Sequence, residues 1–589
     1  MLHVLKIISI FFISMKIYSQ PLVFSKNYFR WPVSNKPVIV ANFGELRSGH
    51  WHMGLDVRTD QKVNMPVYAA ADGYIARISV RAFGFGQAIY INHPNGLTTV
   101  YGHLNKFFPK LDSFVREEQY NRQSWEIEID LNKEDFPVRK GQFIALSGST
   151  GASQGPHVHF EIRNTQTERC INPMLFDFPI PDVVPPVITK LAMYNRGLTE
   201  YEQNPTLFPV KKFKGKYVLK KDTVIRTGLS KLGFAIGAYD CVSGSPNPNG
   251  IYGARIYLDK QLVNEFFLDS MDYEETGYVN AHIDYRYRYH SGIYLQQLFK
   301  LPGDRGSAYK LNDNDGIITL NDTNVHSIKI EILDAKQNIS LLQFKIQHND
   351  HLATFINHPL DKYFAPNFVN VFEKNDFELY LPEEALYDSI QPIFFRNMYA
   401  DKVNDISATF HFSDASIPVH GQINIRIKPT IRVPEVFKNK LVIQQADEGN
   451  TTYRKATWQK DWLAASFNEF GSYKAFIDST PPAINEWKGV DTIDLSASEN
   501  IVFFPRDNTA IKNFRVELDD QWLRFTNDKG AAWIYNFDER CPFGTHKLNV
   551  RVEDIVGNVL EKTWWFKRNE LLHSNKKGSL NKKVTSKKK

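Results

Sequence analysis

The stretch GSTGASQGPHVHFEIR, residues 148–163, decides how the N-terminal part of this chain folds. A loop rich in glycine and serine leads into HVHFEIR, whose residues alternate as they do along a strand. Because successive side chains of a strand point to opposite faces, His157 and His159 share one face, and the apolar residues fill the other. Two imidazoles therefore stand side by side on a rigid element.

Two earlier segments supply further chemistry. GHWHMGLD, residues 49–56, contains His52 and Asp56 with Gly54 between them, and a turn at this glycine can bring Asp56 back toward His52. GQAIYINHPNGLTTVYGHL, residues 86–104, has two apolar strands around the turn HPNG, so it predicts a hairpin with His103 near its end.

These residues match the needs of a catalytic zinc ion. Such an ion takes three nitrogen or oxygen ligands at about 2.0–2.2 Å and keeps a fourth position open for water. His52, Asp56 and His159 are predicted to be the ligands. His103 and His157 can then exchange protons or stabilise an oxyanion. No Cys-x-x-Cys spacing occurs among the three cysteines, so neither a sulfur-based zinc site nor a disulfide framework is expected.

Three blocks in the same order carry a family resemblance. NFGELRSGHWHMGLD (42–56), YGHL (101–104) and GSTGASQGPHVHFEIR (148–163) resemble the signature blocks of the lysostaphin/LytM-type zinc metalloendopeptidases. The family pattern is His-x-x-x-Asp, then a lone His, then His-x-His. The resemblance covers roughly residues 40 to 165 and implies that His52, Asp56 and His159 bind Zn²⁺ and that His103 and His157 are catalytic.

The resemblance also implies a fold and a substrate. The fold is a small, mainly antiparallel β domain, the duplicated hybrid motif of this family, with the site in an open groove. Family members cut glycine bridges or peptide cross-links of bacterial peptidoglycan. The leading hypothesis is therefore a zinc metalloendopeptidase that attacks wall peptides through a zinc-activated water, with one of the two catalytic histidines as the base.

Other polar residues near the site have two interpretations. Glu161 shares the face of the two histidines, so it either orients one of them or is a structural carboxylate. His50 is expected to be a groove or surface residue, and His93 a turn residue. Asn42 and Arg47 precede the ligands and are weaker candidates for substrate binding.

One segment departs from the family. Residues 105–137 are inserted where the usual connection is short. Within them, apolar and acidic residues alternate from Trp125 to Leu131, which predicts an added strand. The insertion either walls the groove or is a hairpin with a solvated face.

The rest of the chain favours β modules. Its length of 589 residues and 13% aromatic content indicate several packed domains, and strand-forming residues are abundant. Proline pairs at 185–186 and 481–482 and a polar interruption near residue 350 suggest boundaries. The fold class is mainly β: a peptidase domain (20–182), an immunoglobulin-like β-sandwich (183–350), a β-rich module (351–480) and a second immunoglobulin-like β-sandwich (481–568).

The two predicted sandwiches are copies of one module. GIYGARIYLDKQ (250–261) aligns with AIKNFRVELDDQ (510–521). Each is followed by a strand that runs into a turn, in IKIEILDAKQN and LNVRVEDIVGN. These modules carry no chemistry of their own, so they are expected to position the first domain or to contact envelope proteins.

The N-terminal and C-terminal segments indicate where in the cell the protein is located. Residues 1–19 predict an export signal. After its removal no stable membrane span is expected. The protein is therefore expected in the periplasm or at the surface of a bacterium. The formal charge of +6 is concentrated in residues 569–589, where a lysine-rich, disordered tail is predicted. The body is not basic, so no nucleic-acid partner is expected.

Two alternatives to the enzyme hypothesis remain. One is a non-catalytic LytM-type domain that binds the wall or activates other hydrolases, although such domains lack ligands and this chain has all five positions. The other is a surface scaffold with a subsidiary enzyme domain. Full activity in a chain that ends near residue 182 would support the scaffold.

Overall fold

The computed structural model describes residues 27–221, 224–310, 314–352, 363–397, 404–487, 491–530 and 532–570. Within them the chain is mainly β, as predicted, with forty-two strands and three α-helices. The predicted export signal and nearly all of the predicted basic tail lie outside the described residues. Among the helices of this described part, none has both the length and the apolar character that crossing a membrane requires.

The first domain contains a twelve-stranded sheet whose main path runs β1-β4-β12-β8-β7-β6-β10. Strand β12 lies in the interior of this path because its apolar face is fully buried in the largest core cluster. The elements are β1 Ile39–Ala41, β2 Leu46–Arg47, β3 His50–Trp51, β4 Leu55–Arg58, β5 Pro66–Tyr68, β6 Gly73–Val80, β7 Gln87–Asn92, β8 Leu97–Phe107, α1 Pro109–Asn121, β9 Ile127–Asp130, β10 Pro137–Val138, β11 Phe143–Ser147, β12 His157–Asn164 and β13 Cys170–Ile171.

The inserted segment holds both a strand and a helix. Strand β9 lies within the predicted stretch and pairs with β6. Helix α1 was not predicted from the sequence. Pro109 occupies its first position, where the missing amide proton costs nothing, and Leu111, Val115 and Gln119 recur every four residues on its buried face.

The second domain has an eleven-stranded sheet that curls around one core, with β17 and β16 both parallel to β25. Its elements are β14 Val187–Asn195, β15 Thr206–Phe213, β16 Lys216–Leu219, β17 Val224–Thr227, β18 Lys231–Tyr239, β19 Gly253–Leu258, β20 Gln261–Phe267, β21 Ser270–Met271, α2 Val279–His282, α3 Tyr285–Ser291, β22 Gln296–Gln297, β23 Ile318–Thr319, β24 Val325–Leu333 and β25 Ile339–His348.

The third and fourth domains are also β-rich. Two five-stranded sheets enclose the core of the third, and a five-stranded sheet with a separate strand pair encloses that of the fourth. The third contains β26 Asn370–Glu373, β27 Phe377–Leu381, β28 Phe394–Asn397, β29 Thr409–Phe412, β30 Pro418–Ile427, β31 Leu441–Asp447, β32 Asn450–Lys455, β33 Thr457–Gln459, β34 Trp462–Glu469 and β35 Gly471–Ile477. The fourth contains β36 Thr492–Asp494, β37 Asn500–Phe503, β38 Ile511–Leu518, β39 Gln521–Trp522, β40 Trp533–Asn536, β41 Gly544–Asp554 and β42 Val559–Arg568. The immunoglobulin-like assignment and the domain limits stay predictions.

The repeat seen in the sequence extends to single hydrogen bonds. In the second domain, Asp259 accepts from the amide of Ser327 and contacts the imidazole of His326. In the fourth, Asp519 accepts from the amide of Lys547 and contacts the imidazole of His546 in the same way. Both aspartates have positive φ, 46° and 50°, so the two hairpins turn alike.

The domains are packed together rather than strung on linkers. Strand β21 of the second domain pairs with β13 and so extends the sheet of the first. A separate apolar cluster combines Phe43, Trp51 and Cys170 of the first domain with Leu268 of the second and Tyr387 of the third. Since Trp51 immediately precedes His52, this shared core reaches the candidate site.

Candidate active site

Strand register brings the predicted site residues together. Strand β12 lies between β4 and β8, with His159 opposite Asp56 on one side and opposite Gly102 on the other. Residues directly opposite in an antiparallel pair project to the same face. Asp56 and His159 therefore share one face of the sheet. His103 follows Gly102 with a positive φ of 58°, which interrupts the strand alternation, and its ring centroid lies 5.9 Å from that of His159.

Three donor atoms converge to a single point. The Asp56 Oδ1 atom lies 2.9 Å from His52 Nε2 and 3.1 Å from His159 Nδ1, and these two nitrogens are 3.0 Å apart. Tetrahedral ligands at about 2.0 Å from a zinc ion are separated by about 3.3 Å, so small outward shifts would accommodate one. The three residues are only 5–7% exposed. Two nitrogens and one carboxylate oxygen are the donor types that zinc takes in catalytic sites.

In His52 and His159, the ring nitrogen that does not face Asp56 donates a hydrogen bond, and this bond fixes the orientation of the ring. His52 Nδ1 donates to the carbonyl oxygen of Asn42 at 2.7 Å, and His159 Nε2 donates to Glu161 Oε1 at 2.8 Å. With those protons committed, His52 Nε2 and His159 Nδ1 are the nitrogens that face Asp56, and each offers a lone pair to a metal ion when its ring is neutral. Glu161 thus takes the orienting role, one of its two interpretations from the sequence.

The electrostatics favour a positive charge at this point. Burial lowers the pKa of His159, but its hydrogen bonds to Asp56 and Glu161 outweigh burial and raise that pKa to about 9. Burial raises the pKa of Asp56, yet His52, His157 and His159 together hold it well below its usual range. Two buried carboxylates around one imidazole stabilise either a proton or a metal ion there.

His103 and His157 stand beside this cluster, with ring centroids 4.7 Å apart. His103 Nδ1 donates to the carbonyl of Thr150, and His157 Nδ1 donates to the carbonyl of Gly155, both at 2.8 Å. Burial and the neighbouring His159 and His157 lower the pKa of His103 to about 3, which keeps its ring neutral. His103 also has a positive φ of 58°, a conformation that is uncommon for a non-glycine residue and is concentrated at functional sites.

The second domain contributes to the surroundings of the site. The Tyr273 hydroxyl donates a short hydrogen bond to Glu161, whose other oxygen pairs with Arg163 at 2.6 Å. The Asn42 side chain exchanges two hydrogen bonds with the backbone of Gly250, at 2.7 and 2.9 Å. Sequence reasoning missed Tyr273 and Gly250, because they lie far along the chain and match no motif.

The fourth domain holds the loop at residues 148–156. Lys529 Nζ donates to Ser149 Oγ at 2.7 Å and to the carbonyl of Ser153 at 2.8 Å. Asp528 Oδ1 accepts from the amide of Gly151 at 2.8 Å. This is the loop whose carbonyls orient His103 and His157, so a domain more than 300 residues away in sequence braces the two histidines.

A groove of about 680 Å³ opens over the cluster. His50 lines it, as predicted, and so do Asn247 and Pro248 of the second domain. Arg47 also lines it and pairs with Asp56 Oδ2 at 3.2 Å. His93 lies elsewhere, buried against Thr99 and the carbonyl of Asp72.

The inserted segment faces the fourth domain instead of the groove. Tyr120 packs against Trp522 with ring centroids 5.4 Å apart, and Gln119 accepts from Arg524 at 3.2 Å. No residue of 105–137, all of which the structure describes, lines the groove. The groove-wall interpretation of the insertion is therefore wrong, and the segment is a docking surface between domains.

Comparison with known families gives two matches. The model of peptidase family M23 matches residues 50–120 and 127–173, which contain all five predicted site residues. A Zu5-like domain model matches residues 361–478, in the third domain.

Individual relatives agree with the first match. DD-carboxypeptidase/endopeptidase Mpg of Neisseria meningitidis serogroup B is 33% identical over 139 residues, 23% of this chain and 25% of that protein. Peptidoglycan DD-endopeptidase ShyA of Vibrio cholerae is 29% identical over 162 residues, 26% of this chain and 31% of that protein. The similarity thus spans only about a quarter to a third of each relative. A solved zinc-containing peptidase from Vibrio cholerae shares 27% identity over 26% of this chain and 41% of that one, with a TM-score of 0.20.

Proposed function

We propose that the protein is a zinc-dependent metalloendopeptidase that cleaves peptide cross-links or bridges of bacterial peptidoglycan, because residues 50–120 and 127–173 match the model of peptidase family M23. The observation that carries the proposal is the convergence of His52, Asp56 and His159 on one point, with donor atoms 2.9–3.1 Å apart. A zinc ion bound there supplies a Lewis acid that activates water and polarises a peptide carbonyl.

His103 and His157 serve the reaction through their Nε2 atoms. Each ring has its Nδ1 proton committed to a backbone carbonyl, so Nε2 is the nitrogen that exchanges a proton with water or substrate. In the structure, His157 Nε2 lies 3.3 Å from Asp56 Oδ1, next to the proposed metal position. One takes the proton of the attacking water, and the other steadies charge that develops on the substrate oxygen. Because these hydrogen bonds to backbone carbonyls already hold the two imidazole rings in place, the rings need little reorientation during the reaction.

The groove suits an extended peptide segment. It is open to solvent, so a chain that is part of a large polymer can lie across it without threading through a tunnel. A wall substrate requires the enzyme to act outside the cytoplasm, and we place it in the periplasm or at the cell surface. The named activities of the similar Neisseria and Vibrio proteins support this substrate class.

The test compares His159→Ala with the wild type. Removing one of three ligands should reduce bound zinc from about one equivalent per chain to near zero and abolish the release of wall fragments. Metal analysis gives the zinc content, and mass spectrometry of the released fragments identifies the bond that is cut.

His50→Ala is the matched control, since His50 lies in the same segment but is exposed and its Nδ1 contacts only the carbonyl of Ser48. It should keep about one equivalent of zinc, so that loss of zinc in His159→Ala can be attributed to removal of a ligand. Wall lysis by a zinc-free His159→Ala protein would refute the proposal.

A further inference from the structure

Three aspartates from separate segments meet where the first domain joins the second. Asp182 lies in the connection between the two domains, Asp240 directly follows β18, and Asp334 directly follows β24. One oxygen from each lies within 4.8 Å of the others. Within the described part of the chain, no lysine or arginine forms an ion pair with any of the three, so their negative charges repel one another.

Two of these carboxylates have a buried oxygen atom that accepts no hydrogen bond from the part of the chain that the structure describes. Asp240 is only 3% exposed, and its Oδ1 atom has no hydrogen-bond donor among the described residues. The Oδ2 atom of Asp182 is likewise buried and without a donor there. Burial and the neighbouring carboxylates of Asp334 and Asp182 raise the pKa of Asp240 to about 7. Buried charges of this kind are normally paired or bound to a metal ion.

The surrounding backbone holds the remaining oxygens in place. Asp334 Oδ1 accepts from the amides of Lys336 and Asn338, both at 2.8 Å, and its Oδ2 accepts from the Asn338 side chain at 2.7 Å. Asp182 Oδ1 accepts from the amide of Ser243 at 3.2 Å. Asp182 Oδ2 and Asp240 Oδ1 are therefore the oxygens left without a donor among the described residues, whereas Asp334 is held in place through both of its oxygens.

We propose that Asp182, Asp240 and Asp334 bind a calcium ion that joins the first two domains. A site built from carboxylate oxygens suits a hard cation, and calcium accepts the irregular geometry that three unrelated chain segments provide. Magnesium requires a near-ideal octahedron, and zinc favours nitrogen and sulfur donors. Calcium sites of extracellular modules typically have dissociation constants of about 10⁻⁴–10⁻³ M, which is the affinity range expected here.

The repeat supplies an internal comparison. Asp478, Asp507 and Asp554 form the corresponding cluster in the fourth domain. There, Asp478 Oδ2 accepts from Thr509 Oγ1 at 3.0 Å and its Oδ1 accepts from Asn508 Nδ2 at 3.1 Å. Protein donors thus satisfy Asp478 on both oxygens, whereas Asp182 Oδ2 has none among the described residues. Asp507 Oδ1 is buried without a donor, as Asp240 Oδ1 is, so the two clusters differ at Asp478 and Asp182.

The experiment uses the full-length, zinc-loaded protein freed of calcium. Equilibrium dialysis against about 10 mM calcium, which nearly saturates a site in this affinity range, should show one bound equivalent that Asp240→Asn and Asp182→Asn each lose. Thermal unfolding should show that calcium raises Tm by about 2 °C or more in the wild type, that magnesium has a smaller effect, and that Asp240→Asn abolishes the shift. Asn keeps the shape of the side chain and removes the repelling charge, so without calcium this variant should unfold no earlier than the wild type.

Asp507→Asn is the control from the corresponding cluster and should retain the calcium equivalent removed by Asp240→Asn. Unchanged zinc content in each variant confirms an intact first domain. The proposal is overturned by a wild type that binds no calcium, by calcium binding that survives Asp240→Asn, or by an equal loss in Asp507→Asn.

Discussion

At the scale of single residues, Tyr273 is the side chain whose role depends most on the folded structure. Its hydroxyl donates to Glu161, which in turn accepts from His159. Carboxylates that hold a metal-binding histidine fix its orientation and raise its basicity. Tyr273 is therefore a positioning residue that acts through two others.

We expect Tyr273→Phe to lower zinc affinity or activity by about tenfold, because loss of a partner beyond the ligands typically costs 10–100-fold. Zinc competition titrations and fragment-release rates measure the two effects separately. Tyr252→Phe is the control, since Tyr252 also donates to a carboxylate of the second domain, that of Asp269. Equal behaviour of the two variants would contradict the positioning role.

The sequence identified the residues that meet at the site but only some of their supports. His52, Asp56 and His159 were predictable because strand alternation and ligand chemistry act over short distances. Glu161 could not be assigned, since its burial depends on Tyr273, which comes 112 residues later. Asn42 is a candidate for substrate binding from the sequence, but in the structure its side chain forms hydrogen bonds with the backbone of Gly250.

At the scale of elements, the loop at 148–156 is the part that orients both catalytic candidates. Its own sequence is rich in glycine and serine and therefore supplies little rigidity. Rigidity comes from contacts such as those of Lys529. The loop is thus ordered by a partner from outside its domain.

Lys529→Ala should lower the rate of wall hydrolysis severalfold while leaving bound zinc at about one equivalent, since Lys529 touches the loop and no ligand. Steady-state rates and metal analysis on the same preparation test this. Lys512→Ala is the control, because Lys512 forms a surface pair with Glu553 in the same domain. Loss of zinc in Lys529→Ala would show that the contact supports the fold instead of the loop.

Helix α1 shows where element prediction failed. The alternating residues 125–131 gave a clear strand signal, and β9 is present there. The helix packs Leu111, Phe114 and Val115 against the core, but the next buried position is the polar Gln119, so the apolar periodicity extends over little more than one turn. Its burial depends partly on the fourth domain, which local sequence cannot reveal.

At the scale of the whole molecule, the domains form one assembly around the site. The predicted β-class and repeat were recognisable because strand alternation and turn residues are local signals. The packing between domains was not predictable, because the sequence does not distinguish residues at a domain interface, such as Trp51 and Leu268, from residues in the core of one domain. The proposed calcium ion would add a further link between the first and second domains, next to Asn249 and Gly250.

A chain that ends after residue 182 should lose at least about 90% of its hydrolytic activity, because it lacks Tyr273, Gly250 and Lys529 and exposes the apolar surface around Trp51. Fragment release per bound zinc measures this independently of folding yield. A chain that ends after residue 570 is the control and should remain fully active. Full activity in the short chain would favour the scaffold hypothesis.

The bracing of the loop by Lys529 has a consequence during biosynthesis. On the proposed function, the ribosome completes the three proposed ligands long before it reaches residue 529, so a nascent polypeptide carries all of them together with an unsupported loop. Lytic power would then appear only when the final domain has docked. Such a delay would protect the producing cell from a half-made hydrolase.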